Sequence, residues 1–450
     1  MRVERSDVQA LVASGLGAHP VSSLLLVRFA SDEARAWLRR LLPLVTSAAR
    51  RERFEPVQLN LAFSFSGLSR LGLPAETLGA FAPEFRAGMA ARAAVLGDLG
   101  EDDPRNWEFG GPEHPVDALV LLYARDSRTL AAKREELLGG LERFELSCLE
   151  LPTYLDPERR EHFGFRFAVS QPRFGGGLSR TRGGSRLPPG EVLLGYPNVS
   201  GERAPTPVAP FRRSTREAPP LAPRGHVDLG HNGTYLVLRK LEQRVALFWS
   251  TAEKLARRGN AGVADPVAVA ARWVGRWPNG APLVRYPDGA PDVPPADDGF
   301  TYRDGDPEGR GCPLGAHVRR ANPRDALATA SAHRIVRRGR LYGPRAADPT
   351  VDDGVERGLV FIALNADIAR QFETVQQSFV NGAFLGGLRG ERDPLLGSDA
   401  EDEPGIRRPF TEAGSPVRRR TGPLPRFVRV RGGEYFFLPG LRALGYLAEG

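Results

Sequence analysis

The sequence has few of the residues that cross-link small secreted folds or gather into metal clusters. Its 450 residues include only two cysteines. These are Cys148 and Cys312, which lie far apart and do not have the spacing of a metal site. Two such thiols cannot form a disulfide framework, so we expect both to be free and packed in the protein.

Lysine is nearly absent. Of the 62 basic residues only three are lysine, and the formal net charge is +8. The arginines are scattered among acidic residues and do not form a basic stripe, which is typical of the codon bias of a GC-rich genome. The sequence therefore predicts no nucleic-acid partner in spite of its positive charge.

Long apolar runs are also missing. No run approaches the ~18 residues of a membrane span, and the N-terminus lacks a basic region followed by an apolar core and a cleavage site. We therefore expect a cytoplasmic protein without a membrane span. The apolar fraction of 41% and charged fraction of 26% are those of an ordinary globular chain, and the length suits two domains of roughly 150 to 200 residues each.

Apolar segments typical of strands recur in both halves of the chain and alternate with helical patterns. The strand-like segments are 22–30, 59–67, 117–125, 144–154, 233–249, 357–367 and 434–449, and the helical patterns are 32–50, 84–100 and 367–381. This β-α-β rhythm predicts an α+β protein of duplicated ferredoxin-like units, the dimeric α+β barrel type, with antiparallel sheets, flanking helices and long loops. We expect an N-terminal ferredoxin-like domain over 1–172, a Gly/Pro/Arg-rich connecting region over 173–225 and a C-terminal ferredoxin-like domain over 226–450.

The most informative stretch is CPLGAHVRRANPRD, residues 312–325, which sets His317 between small apolar residues and arginines. A lone histidine is usually a satisfied core or surface residue, but a neutral imidazole in such a context can also ligate iron. Together with EHFGFRFAVSQP at 161–172, this stretch resembles the dye-decolourising peroxidase family. Further family-like segments, from NLAFSFSGLSRLGL at 60–73 to ERDPLLG at 391–397, follow in family order.

The resemblance implies haem b bound in the C-terminal domain, with His317 as the axial ligand of the iron. A carboxylate beside His317 would make it a stronger electron donor, and Asp393 or Glu391 is the candidate. RRGRLYGP at 337–344 resembles the family's distal arginine segment. Arg337 is the predicted residue, with Arg338 as the alternative if the register slips by one.

One position departs from the family pattern. The distal GxxDG motif appears here as Gly164 to Ala168, with Phe167 where the family has its proton-transferring aspartate. A phenyl ring can neither take a proton from peroxide nor return it. Another acid, or a water held by Arg337, would have to do so; His162 is an alternative base, although a surface role at a strand end is commoner.

Two functions are consistent with this pattern. The first is a dye-decolourising type peroxidase, a haem enzyme that reduces hydrogen peroxide, oxidises bulky aromatic reductants and is impaired by the missing aspartate. The alternative is a non-catalytic haem-binding sensor, carrier or pseudo-peroxidase on the same fold. Trp273, Trp277 and Tyr342 lie in family-like segments and could carry electrons, but core packing is the commoner role.

Overall fold

The structure is a computed structural model that describes residues 2–29, 33–50, 52–144, 146–178, 186–212, 218–258, 265–292, 297–398, 409–413 and 417–449. Parts of the long Gly/Pro/Arg-rich segments fall outside these ranges. No helix in the described ranges is long and apolar enough to cross a membrane.

The described residues form fourteen strands and eleven α-helices. The strands are β1 Val21–Arg28, β2 Val57–Phe63, β3 Ala118–Ala124, β4 Ser147–Tyr154, β5 Val208–Pro210, β6 Leu221–Ala222, β7 His226–Asp228, β8 Thr234–Gln243, β9 Val336–Arg337, β10 Arg340–Tyr342, β11 Gly358–Asn365, β12 Phe410–Glu412, β13 Arg419–Thr421 and β14 Val428–Leu438. The helices are α1 Ala10–Ala13, α2 Ala34–Leu41, α3 Phe65–Arg70, α4 Ala75–Gly79, α5 Pro83–Ala87, α6 Ala93–Leu96, α7 Ser127–Arg143, α8 Val245–Arg257, α9 Pro266–Val274, α10 His317–Ala321 and α11 Leu441–Glu449. Two π-helical turns follow β11, at Ile368–Glu373 and Val375–Val380.

The main sheet contains two copies of one strand order. The first half supplies β4-β1-β3-β2, and the second half supplies β14-β8-β11-β10 with β9 also beside β11. Both are the 4-1-3-2 order of a ferredoxin-like unit with antiparallel neighbours. The duplicated α+β fold predicted from the strand rhythm is thus confirmed.

The two units join edge to edge and close the sheet on itself. β2 pairs with β14 through Phe63 and Phe437, while β4 pairs with β10 through Tyr154 and Leu341. Because closure removes the free edges, the strands are protected from pairing with other chains.

Each strand presents one face to the barrel interior and the other to the helices. In β3, for example, Leu119 and Leu121 pack inside the barrel, whereas Val120 and Leu122 pack under the helical layer. All seven residues of β3 are buried, which explains why the strands read as continuous apolar runs and not as alternating ones.

Several predicted boundaries are wrong for local reasons. The helical pattern over 84–100 is broken into short turns, because Gly88 and Gly97 have φ of 76° and 73°, a conformation that ends a helix. The long helix of the first unit is instead α7, capped at its N-terminus by Asp126, which accepts a hydrogen bond from the Thr129 amide. The strand predicted over 233–249 ends at Gln243, and α8 begins at Val245.

Candidate functional site

A cavity of about 510 Å³ lies against the strands of the second unit and is also lined by residues of the first. Strands β8, β11 and β14 contribute mainly apolar side chains from their helix-facing side, and α10, the π-helical turns and the distal motif segment complete the walls. The cavity brings together side chains that are distant in sequence, among them His317, Phe167 and Arg337.

His317 is the first residue of α10, and its Nδ1 atom is hydrogen-bonded to the Oδ2 atom of Asp393 at 2.9 Å. Asp393 is fully buried. Burial alone would raise the pKa of this carboxyl, but the charge and hydrogen bond of His317 outweigh it and hold the pKa below its usual value. An ionised Asp393 makes Nδ1 the protonated nitrogen, which leaves the lone pair of Nε2 available to a metal.

The loop around Asp393 fixes this carboxylate. Its Oδ1 atom accepts hydrogen bonds from the amides of Leu395 and Leu396, each at 2.9 Å. Arg320, one turn after His317, donates to the carbonyl of Glu391, so that α10 and this loop are tied together. Glu391 itself has no hydrogen bond to His317 among the described contacts and points toward Thr411. Of the two candidate partners, the structure places Asp393 beside His317.

Arg337 and Arg338 both border the cavity, but their guanidinium groups have different partners. Arg338 donates from Nε to the carbonyl of Leu11 and from Nη2 to that of Val12, each at 2.8 Å. Its guanidinium therefore anchors the N-terminal segment. Arg337 donates from Nη2 to the Ser170 carbonyl at 2.6 Å, and this is its single guanidinium hydrogen bond within the described residues.

Arg337 stays cationic although it is partly buried. Burial, helped by the neighbouring Arg334, lowers the pKa of Arg337 to about 10, which still leaves the group protonated near neutral pH. The side-chain amide of Gln171 fixes the backbone of Arg337. Its Nε2 atom donates to the Arg337 carbonyl at 3.1 Å, and its Oε1 atom accepts from the Arg337 N–H at 3.2 Å. The cation is thus held in place by the segment that follows the degenerate motif.

The degenerate motif forms a turn that carries Phe167 to the cavity wall. The Phe167 amide donates to the carbonyl of Arg159 at 2.8 Å. Ala168 follows with φ of 61°, a left-handed conformation that costs a non-glycine residue ~1 kcal/mol or more. A turn that glycine would adopt freely is therefore formed here with an alanine.

His162 does not line the cavity in the described structure. Its Nε2 atom lies 2.9 Å from the Tyr342 carbonyl, and burial lowers the pKa of this histidine to about 4. It is a packed, neutral residue, so the structure gives no support to its role as a substitute base. Trp273, Trp277 and Tyr342 are buried as well.

Sequence reasoning missed the cationic end of the cavity. Arg276, Arg324, Arg334 and Arg337 lie together there with one carboxylate, Asp298. Asp298 accepts hydrogen bonds from Ser170 at 2.7 Å and Arg276 at 3.1 Å, and from Arg324. Four cations against one anion leave an excess of positive charge, which suits a ligand that carries carboxylates. Of these four only Arg337 is predicted from the sequence, and in a chain so rich in arginine nothing in the sequence distinguishes the other three.

The residues fit haem. The cavity is mainly apolar, has the volume of a cofactor pocket, offers one histidine whose second nitrogen is hydrogen-bonded to a buried carboxylate, and ends in arginines suited to propionates. No group of three or more His, Cys, Asp or Glu side chains among the described residues could hold a bare metal ion.

Comparison with known proteins agrees with this geometry. Residues 43–147 match the model of the DyP dimeric alpha+beta barrel domain, and residues 292–395 match that of the Dyp-type peroxidase C-terminal domain. The chain is 31% identical to the multifunctional dye peroxidase DyP2 of Amycolatopsis sp. over 92% of this chain and 89% of that protein. It is 30% identical to peroxidase 2 of Mycetinis scorodonius over 90% of this chain and 79% of that protein.

Solved structures show the same relationship. The structure of an ancestral D-type dye-decolourising peroxidase covers 99% of this chain and 99% of its own, with a TM-score of 0.79 and 25% identity. That of DyP2 from Amycolatopsis sp. covers 98% of this chain and 96% of its own, with a TM-score of 0.77 and 26% identity. The chain therefore belongs to the dye-decolourising, DyP-type, peroxidase family.

Proposed function

We propose that this protein binds haem b in the cavity and uses it to reduce hydrogen peroxide and oxidise bulky aromatic reductants. The observation that supports this most strongly is the hydrogen bond of 2.9 Å between His317 Nδ1 and buried Asp393, in the same cavity as the cationic Arg337. Such a pair has a clear purpose when Nε2 binds iron.

When bound, haem supplies the iron that cleaves the peroxide O–O bond and holds the oxidising equivalents for the reductant. His317 is the proposed axial ligand. Asp393, as an acceptor, keeps the proton on Nδ1 and makes Nε2 more basic, which favours O–O cleavage. Arg334 is part-buried and has no side-chain hydrogen bond within the described structure; it would hold a propionate, together with Arg324.

Arg337 is the proposed distal cation. A fixed guanidinium attracts the hydroperoxide anion and offsets the negative charge that grows on the leaving oxygen. Its single hydrogen bond to Ser170 leaves other N–H groups for this task. The guanidinium of Arg338, in contrast, already donates hydrogen bonds to the carbonyls of Leu11, Val12 and Arg337.

Phe167 should impair the reaction. A peroxidase needs a group that takes the proton from the near peroxide oxygen and returns it to the far one. Phe167 stands at that position of the motif and cannot do this. We therefore expect slower turnover than in a protein with aspartate at this position.

Phe167 is also the observation that favours the second candidate, a non-catalytic haem-binding protein. A sensor or carrier needs His317 and the cationic end of the cavity but no proton-transferring group. The two functions differ in the response to peroxide, since only the peroxidase should change its Soret absorption rapidly and return to rest when an aromatic reductant is added.

The experiment is to load the purified protein with haem, record its absorption spectrum and then add hydrogen peroxide. We expect stoichiometric binding and a histidine-ligated spectrum, both lost in His317→Ala because the axial bond is the one strong link between protein and iron. An unchanged spectrum in that variant would refute the ligand assignment. A normal spectrum with no response to peroxide would refute the peroxidase and leave the haem-binding protein.

A further inference from the structure

Three carboxylates line the cavity in the described structure, namely Asp98, Asp102 and Glu161. Glu161 is already occupied: it accepts hydrogen bonds from the amides of Phe163 and Phe165, at 2.9 and 2.8 Å, and from the side chain of Gln243. It thereby fixes the turn before the degenerate motif. Asp98 and Asp102 have no such structural duty toward the motif.

Asp98 is 2% exposed and has one oxygen to spare. Its Oδ1 atom is paired with Nη2 of Arg239, while Oδ2 has no hydrogen-bond partner among the described residues. Burial raises the pKa of this carboxyl, against the opposing charge of Arg239. Because an unpaired buried oxygen costs ~1–3 kcal/mol, its retention at a cavity wall points to a use for that oxygen.

Arg239 and the proposed distal cation, Arg337, line the same cavity as Asp98. On the sheet, Arg239 of β8 is in register with Phe361 of β11, and β11 is in register with Arg337 of β9 through Ala363. Adjacent strands lie ~4.8 Å apart. Arg239 and Arg337 therefore lie on the two strands that flank β11 and are offset by two residues along it, since Phe361 is opposite Arg239 and Ala363 is opposite Arg337.

Asp102, four residues after Asp98 in the sequence, also lines the cavity. Its Oδ1 accepts from the Val430 amide at 3.0 Å, and its Oδ2 is 3.1 Å from Nη1 of Arg426. Burial raises the pKa of Asp102 to about 6, with Arg426 opposing and the charge of Asp98 adding to the rise. The two carboxyls are thus electrostatically coupled.

The remaining charged neighbours lead outward. Tyr435, whose pKa is influenced by both Arg239 and Asp98, donates to Glu373 at 3.0 Å. Glu373 in turn accepts from Arg92 Nε at 2.9 Å, and the Arg92 side chain is 30% exposed. The charges of this set balance, because three cations (Arg92, Arg239 and Arg426) are paired with three carboxylates (Asp98, Asp102 and Glu373).

We propose that Asp98, with its charge coupled to that of Asp102, is the proton-transfer group of this cavity, in place of the carboxylate that the family motif has at position 167. The inference rests on the proposed function. The O–H bond of the near peroxide oxygen breaks as a new O–H bond forms at Oδ2 of Asp98, and the same proton then passes to the far oxygen, which leaves as water. The carboxylate ends as it began.

Asp298 is the competing candidate and is less suited. It does not line the cavity in the described residues, and it is already committed to Ser170, Arg276 and Arg324. Protonation of Asp298 would break those charge-assisted bonds, whereas protonation of Asp98 at Oδ2 breaks none.

Cyanide binding tests the inference without turnover. Hydrogen cyanide must give up its proton when it binds, so the association rate of cyanide with the haem-loaded protein reports proton transfer in the cavity. We expect Asp98→Asn to slow association about 10- to 100-fold, within the usual range for a positioned acid or base. The wild-type rate should show an inflection near pH 6 that Asp102→Asn removes. Glu101→Gln is the matched control, since Glu101 is 56% exposed and pairs with Arg429; its rate should stay within about twofold.

Rescue separates proton transfer from a structural role. In Phe167→Asp/Asp98→Asn the new carboxylate should restore the cyanide rate and the rate of the peroxide-driven Soret change, because a proton-transfer group is again present. A deficit that persists in the double variant would overturn the proposal, as would a cyanide rate in Asp98→Asn within threefold of wild type.

Two further outcomes are decisive. If Asp98→Asn does not fold, the wild-type inflection near pH 6 and its loss in Asp102→Asn carry the test, and a pH-independent rate overturns the proposal. If cyanide binding depends on Asp98 while the wild type does not respond to peroxide, the inference stands and the proposed peroxidase function fails.

Discussion

Replacing Asp393 with asparagine should prevent His317 from serving as a good ligand, for a reason that the hydrogen bonds make explicit. Oδ1 of Asp393 accepts from two amides and Oδ2 faces His317 Nδ1. An amide nitrogen cannot accept a hydrogen bond, so in Asp393→Asn the remaining oxygen must keep facing Leu395 and Leu396. The new NH₂ group then donates to Nδ1.

That donation moves the imidazole proton to Nε2, the nitrogen whose lone pair the iron needs. The protein must either accept the wrong tautomer or break the new contact. The loss is that of a hydrogen bond to a charged group, ~1.5–3 kcal/mol, and haem affinity should therefore fall about 10- to 100-fold.

Titration of the haem-free protein with haem, followed at the Soret band, measures this directly. Glu391→Gln is the matched control, because Glu391 is equally buried and two residues away but has no described contact with His317; its affinity should stay within about twofold of wild type. A haem affinity of Asp393→Asn within threefold of wild type, or an equal loss in Glu391→Gln, would show that Asp393 is not the partner on which ligation depends.

Two other predictions concern the Arg337–Arg338 pair and the pH dependence of stability at Glu52. Arg337→Leu should slow the peroxide-driven Soret change, measured by stopped-flow mixing, about 100-fold or more, because a preorganised cation is lost. Arg338→Leu should leave that rate near wild type and lower the urea midpoint of unfolding, because Leu11 and Val12 lose their hydrogen bonds. The reverse pattern would exchange the roles of the two arginines. Burial would raise the pKa of Glu52, but the nearby His19, 3.8 Å away, and hydrogen bonds from Ser14 and the Ala18 amide outweigh it and lower the pKa to about 2. Its stabilisation is therefore present above the unfolded value near 4.5 and lost as the pH falls toward 2. Glu52→Gln should cost roughly 1–3 kcal/mol at pH 7 and much less near pH 3, as measured by unfolding at both pH values, and an equal cost at both would contradict the assignment.

The strand pattern carried most of the information about the fold. Buried strands such as β3 are continuous apolar runs, and their order along the chain is enough to indicate a duplicated unit. Helices were harder to predict. The alanine-rich segment 84–100 has good helical propensity but is interrupted by glycines with positive φ, while α7 has a weaker apolar stripe and many charges.

The sequence points to those members of the proposed site that stand in motifs, and not to those that depend on contacts between distant residues. His317 and Arg337 stand in recognisable segments. The pairing of Asp98 with Arg239 joins residues 141 positions apart, through strand β8 and a loop of the first unit, and nothing local marks either residue. Likewise, Arg337 and Arg338 are equivalent in sequence, and only their partners in the fold distinguish them.

Position 167 offers a prediction in which two measurements should change in opposite directions. Phe167→Asp adds a carboxylate beside the cavity that holds Arg337. As a proton-transfer group it should speed the peroxide-driven Soret change by about 10- to 1,000-fold. As a negative charge it should weaken the binding of azide to the haem-loaded protein, since two unit charges about 7 Å apart at an effective dielectric constant of ~20 repel by roughly 2 kcal/mol, or about 10- to 100-fold in affinity. Phe167→Asn is the matched control, because it removes the ring and adds a polar group of the same size without charge. Removal of the ring alone would make both variants bind azide equally or better. If Phe167→Asp gains in both rate and azide affinity, or if Phe167→Asn speeds the peroxide reaction as much, then the phenyl ring impairs the reaction by occupying space and not because a proton-transfer group is missing.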